Sequence, residues 1–178
     1  MSLTLASSGT DRRSKSARRT IATDLAIVCS SAAALAHLVA APSHYSWWPV
    51  AGVFFVALGV AQLFYGLVLL RGARHERFVL AGIWGTVAVV LLYVASRTVG
   101  LPMTPPVPFH GGRWVPGRSV VPNGEKYVGP LDIFTLVAEL VLVVLLVGML
   151  SSRSKTRTVN RLMWVGLAVW GAAAVAVL

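Results

Sequence analysis

The sequence predicts an all-α fold, a polytopic transmembrane bundle of five helices with the N-terminus inside and the C-terminus outside. Three observations predict it. Five apolar runs occur, at 22–41, 48–70, 78–98, 131–150 and 162–178. The chain of 178 residues is 56% hydrophobic and only 12% charged, with a mean hydropathy of +0.74. Its net charge of +10 is distributed by connection rather than spread along the chain. A bilayer's hydrocarbon core is about 30 Å thick and a helix needs about 20 mostly apolar residues to cross it. Backbone amides in lipid must bond within their own segment, so such runs form helices. Apolar residues fill most of the length, leaving no room for a separate soluble domain.

Residues 1–20 are rich in Ser, Arg and Lys and poor in apolar residues, so a disordered basic cytoplasmic tail is expected there. The remainder, 21–178, forms the transmembrane domain. The first run follows that basic stretch and ends in Val39-Ala40-Ala41, a pattern shared with signal peptides. Its apolar region exceeds their usual length of about 7–15 residues, so a retained helix is expected. Cys29, the single cysteine, lies in this run and reads as a small apolar filler. Pro42 is expected to end the helix.

The second run carries Gly52, Gly59 and Gly66, seven apart and close to one face. Missing side chains let a neighbouring backbone approach, which drives helix association in lipid. Gln62 lies near that face and is expected to make an interhelical hydrogen bond. Ala81 with Gly85, and Ala168, Ala172 and Ala176, offer further small-residue surfaces, within the bundle or between copies. Tyr45, Trp47 and Trp48 mark one membrane boundary and Trp164 the other. The fifth run, 17 residues long, is the shortest.

Twelve of the sixteen basic residues fall on one side of this threading: Arg12, Arg13, Lys15, Arg18 and Arg19, then Arg71, Arg74 and Arg77, then Arg153, Lys155, Arg157 and Arg161. The positive-inside rule makes that side cytoplasmic. There each Lys or Arg gains about 1 kcal/mol from anionic headgroups. Orientation and lipid contact account for the charge, so nucleic acid is not an expected partner.

Ionisable groups inside spans cost at least about 2.5–3.5 kcal/mol each near the bilayer centre. Here they align. Asp132, Thr135 and Glu139 share one helix face, Tyr93 and Arg97 end a polar stripe on the third helix, and His37 continues Thr23 and Ser30 on the first. All five ionisable residues fall in the outer half. Three readings are open. The first is an outward-facing ligand pocket of His37, Tyr93, Arg97, Asp132, Thr135 and Glu139, with a metal or haem as possible cofactor; His37, His44 and Glu139 are the candidate metal ligands. The second is a proton relay through His37 and Glu139. The third is a buried network, Arg97 with Asp132 and Glu139 with Tyr93 or His37, that fixes helix register alone. No CxxC, HxxxH, HExxH, P-loop or dinucleotide pattern occurs, so enzymatic activity is not expected. The connection 100–130 holds seven prolines and six glycines. It excludes a long helix and leaves either a solvated loop or a lid bearing His110 and Arg113.

Three segments carry a resemblance: Ala41-Pro42-Ser43-His44 with Trp48-Pro49, Gly52 and Phe54-Phe55; Ser96-Arg97-Thr98-Val99-Gly100-Leu101-Pro102; and Val128-Gly129 with Asp132, Thr135 and Glu139. In order and placement they resemble an uncharacterised family of small actinobacterial polytopic membrane proteins with no established activity. The resemblance covers about residues 25–150. It implies a multi-pass protein of a bacterial plasma membrane and brings out the outer-half residues as a pocket. It also implies an acidic residue at the position of Ser43, whose replacement here would weaken a cation site at His44. Binding a small ligand or metal, or serving as accessory subunit of a membrane complex, are the roles expected. An oligomeric transporter or ion-conducting protein, and a purely structural assembly protein, are the alternatives.

Overall fold

In a computed structural model the chain forms five helices, and residues 8–72, 74–98, 107–108, 114–115 and 129–177 are described. The helices are α1 (Ser8–Trp47), α2 (Pro49–Leu70), α3 (Glu76–Thr98), α4 (Pro130–Met149) and α5 (Ser152–Val177). In the α3–α4 connection, β1 (Val107–Pro108) pairs antiparallel with β2 (Trp114–Val115). Four stretches are long and apolar enough to cross a membrane: Ile21–Ser46, Pro49–Leu70, Glu76–Ser96 and Pro130–Met149.

Three sequence expectations need correction. The segment 8–20, expected to be disordered, continues α1 as helix. Extending an existing helix fixes one residue per added bond and avoids the cost of nucleation. Pro42 does not end α1, which runs on to Trp47. Prolines persist in membrane helices where local polar side chains bond the backbone. The carbonyl that Pro42 leaves without its donor is that of Leu38; the side-chain bonds beside it go to other carbonyls, Ser43 Oγ donating to Ala40 O (2.9 Å), His44 Nδ1 lying 2.8 Å from the same oxygen, and Ser46 Oγ donating to Ser43 O (2.8 Å). The third concerns α5, which starts ten residues before its apolar run and takes Arg153, Lys155, Arg157 and Arg161 into the helix. It is not among the four spanning candidates of the described residues.

Helix ends follow local rules. Pro49 and Pro130 occupy first-turn positions, where a missing N–H costs nothing. Asp132 Oδ2 accepts a bond from Gly129 N (3.0 Å) at the start of α4. Past the end of α2, Gly72 adopts φ +85° and donates to Leu69 O (3.0 Å), a left-handed turn that glycine enters without strain.

α1 packs along both α2 and α4, and α4 packs along α3. The glycines of α2 make the first contact possible. A Cβ on Gly59 would stand 2.8 Å from Leu38 Cγ and 2.9 Å from Ala34 O, and one on Gly52 would collide with Tyr45. α2 and α3 do not pack along their length, although only 71–75 separates them. They meet close to that turn, where Tyr65 stacks on Phe78 (centroids 4.5 Å apart) and its ring blocks any side chain at Gly82.

The two ends of the bundle differ. At the end holding the α2–α3 and α4–α5 connections, the turn end, Leu69, Val79, Ile83, Leu142 and Leu146 are fully buried with Ala26, Val143, Val147 and Leu150. Glu76 at the start of α3 accepts bonds from Ser151 and Ser154, tying α5 to α3 there. At the opposite end, the open end, Val89 to Ser96 of α3 are all partly buried, and no described residue of α4 before Ala138 is buried.

Candidate functional site

Where the packed half gives way to the open one, three polar side chains from three helices converge. Glu139 is the tenth residue of the 20-residue α4, so it lies about 14 Å from either end of that helix. His37 Nε2 lies 3.1 Å from Glu139 Oε1. Gln62 Nε2 donates to the same oxygen at 3.1 Å. His37, Gln62 and Glu139 are 6%, 8% and 2% exposed. Each is placed by its helix's contact face. Gln62 shares the face of Gly59 and Gly66, and Ser30 Oγ donates to its backbone oxygen (2.7 Å), locking α2 to α1 at this level. Glu139 heads the buried row Leu142 and Leu146 on α4.

The cluster has one unmet demand. Among the described residues, Gln62 Oε1 is buried and accepts no hydrogen bond. The orientation of the amide follows from chemistry, since turning it over would set Oε1 against a carboxylate oxygen and waste both donors. Oε1 therefore points away from Glu139. An unsatisfied buried acceptor costs about 1–3 kcal/mol. Above the cluster, Phe55 carries both histidine rings, His37 at 5.5 Å and His44 at 4.3 Å between centroids.

Among the residues named from sequence, the structure brings His37 and Glu139 together. It adds Gln62, whose expected interhelical hydrogen bond goes to Glu139 and so joins it to the pair. Three others stand elsewhere. Asp132 is half-buried at the start of α4 and bonds Gly129 N, about 10 Å nearer the open end. Thr135 Oγ1 donates to Leu131 O (2.7 Å) of its own helix. Tyr93 is half-buried on α3, and its backbone oxygen accepts from Ser96 Oγ (2.7 Å). The side chain of Arg97, and hence its expected pairing with Asp132, lies outside the described residues, as do His110 and Arg113.

His44 turns Nδ1 to Ala40 O, not to the His37–Glu139 pair. Among the described residues no three His, Cys, Asp or Glu side chains gather where a metal ion could be held. Glu139 Oε1 accepts from Gln62 Nε2 and, in the tautomer with the proton on Nε2, from His37 as well. Gly52, Gly59 and Gly66 are all buried in the α1–α2 contact. Gly85 meets nothing within 4 Å, and Ala81, Ala168 and Ala172 are exposed. No family model, no curated protein and no solved structure matches this chain.

Proposed function

We propose that this integral membrane protein binds a small hydrogen-bond donor at the His37–Gln62–Glu139 cluster. The observation that carries the reading is Gln62 Oε1, a buried acceptor without a partner in the middle of a spanning bundle. Water is scarce at that depth, and an acceptor kept there gains from an occupant that donates to it. The charge distribution puts the turn end in the cytoplasm, so the site opens outward. The resemblance to small actinobacterial membrane proteins favours a bacterial plasma membrane. Binding of this kind suits a free-standing receptor, an accessory subunit of a larger membrane complex, or one protomer of an oligomeric transporter. The donor set favours an uncharged ligand over a metal, because His37 and Gln62 are spent on Glu139.

The test is purification in mild detergent followed by native mass spectrometry, elemental analysis and an absorption spectrum. A stoichiometric organic molecule present in wild type and lost in Gln62→Met is the expected result. A bound metal or haem lost in His37→Ala would move the assignment to a cofactor site. Empty preparations of both proteins with equal thermal stability would end the proposal.

A second reading rests on the same three bonds, which join α1, α2 and α4. In it the cluster is a structural clasp that fixes helix register. Ligand capture separates the two: a clasp loses stability in Glu139→Gln and holds no ligand in wild type, whereas a binding site also loses a ligand that the wild type carries.

A further inference from the structure

We propose that α5 and the start of α3 form a docking surface for an anionic phospholipid. Its phosphate is taken by an arginine ridge on α5 and its acyl chains by the apolar residues that follow. This surface is separate from the cluster at Gln62 and does not depend on it. The sequence alone brings basic residues to headgroups one at a time. The helix sets them in a fixed row.

One row of α5 faces the bundle. Ser154 donates to Glu76 at the start of α3, Thr158 is buried, and Leu162 packs on the core of the turn end. These three follow at i, i+4 and i+8, which is one face of a helix. Arg153, Arg157 and Arg161 each come one residue earlier, so they line a second face turned about 100° from the first. All three are exposed. Anchoring the packed row therefore also fixes the arginine row, over about 12 Å of helix. Arg77 follows Glu76 on α3 and Lys155 follows Ser154 on α5, and both are exposed.

These cations have no internal counter-charge. Among the described residues, no carboxylate pairs with Arg71, Arg74, Arg77, Arg153, Lys155, Arg157 or Arg161. Glu76, which stands among them, is occupied by the hydroxyls of Ser151 and Ser154. An external anion is what the surface lacks, and the planar guanidinium fork binds phosphate oxygens in pairs.

The same helix face distinguishes a lipid from a soluble anion. Trp164 continues the ridge at i+11 from Arg153 and is 72% exposed, and Leu167 after it is 57% exposed. Tryptophan at such a junction sits at headgroup level. Charge followed by bare apolar surface matches a phospholipid from head to chains. A second copy of the chain does not match, because it brings the same cations and only six acids in all.

The test uses the full chain in mild detergent, with bound molecules counted by native mass spectrometry. The probes are dioleoylphosphatidylglycerol, dioleoylphosphatidylcholine and glycerol 1-phosphate, the head without its chains. The anionic lipid should bind about ten-fold or more tighter than the zwitterionic one, and glycerol 1-phosphate should not compete. Arg153→Gln, Arg157→Gln and Arg161→Gln together should erase that preference and keep the melting temperature, since all three side chains are exposed. Removing the same charge at Arg12, Arg13 and Lys15 should leave the preference intact. Equal loss in the two triple variants would mean diffuse attraction and overturn the site. Glycerol 1-phosphate competing as well as the lipid would make it a site for a soluble anion. Equal binding of both lipids by wild type would also overturn it, and an acidic protein retained by wild type and lost in the arginine variant would then be the partner. Should the arginine variant fail to fold, salt decides: the preference of wild type should collapse between about 0.1 and about 0.5 M NaCl, and a preference indifferent to salt would refute the ridge.

Discussion

The two halves of this bundle use the same helices and solve different problems. At the turn end, leucines, valines and an isoleucine from α2, α3 and α4 fill the interior, and Glu76 clamps the start of α5. At the open end the buried residues are small or polar: Ala33, Ala34, Ala36 and Ala41 on α1, Gly52 and Gly59 on α2. Large side chains there face outward or stand half-covered. One half holds the protein together by tight packing, and the other keeps α1 and α2 close through missing side chains. The difference shows that in lipid, where apolar burial drives little, stability follows contact quality.

The comparison can be broken most directly at Leu146. Leu146→Ala empties the packed half and should cost about 2–5 kcal/mol, measured by denaturant titration in detergent. Val90→Ala in the open half should cost well under about 1 kcal/mol. Equal losses would abolish the distinction between the halves. Next comes Gly59→Leu, whose Cβ has Ala34 O at 2.9 Å, a backbone atom that cannot step aside. Overpacking should cost about 1–3 kcal/mol and separate α1 from α2, visible as loss of crosslinking between cysteines placed on the two helices. Glu139→Gln keeps the volume and an acceptor oxygen, but puts an amide NH2 in place of the second carboxylate oxygen, a buried donor with no acceptor given for it. A loss of about 1–3 kcal/mol is expected in ligand-free protein. The smallest effect belongs to Gly85→Ala, which should be neutral within about 0.5 kcal/mol or slightly stabilising, because the new methyl meets only open space and alanine favours helix. A clear destabilisation there would mean that α2 and α3 close in the membrane.

Much of the fold was legible because length and hydropathy are local properties. Four of the five expected spans and the Gly52–Gly59–Gly66 face needed only the chain. What was not legible depends on neighbours. Pro42 was expected to break α1, yet Ser43, His44 and Ser46 bond the surrounding backbone and the helix continues. The shared face of Asp132, Thr135 and Glu139 was read as one polar surface. Periodicity gives direction within a helix and no depth relative to other helices. Asp132 bonds the start of its own helix, Thr135 bonds its own backbone, and of the three Glu139 is the one that meets His37 and Gln62.

The sequence separation within the cluster has a consequence for how the protein is made. His37 and Gln62 belong to the first two spans, and Glu139 follows Gln62 by 77 residues. During synthesis the hairpin of α1 and α2 can close through its glycines before α4 has left the ribosome. A chain halted after Arg77 should already crosslink α1 to α2, and failure to do so would refute this order. Glu139 then enters last, as an acid that would be costly alone in lipid, and finds two donors waiting. Recruitment of the fourth helix is thereby written into the same carboxylate that completes the site.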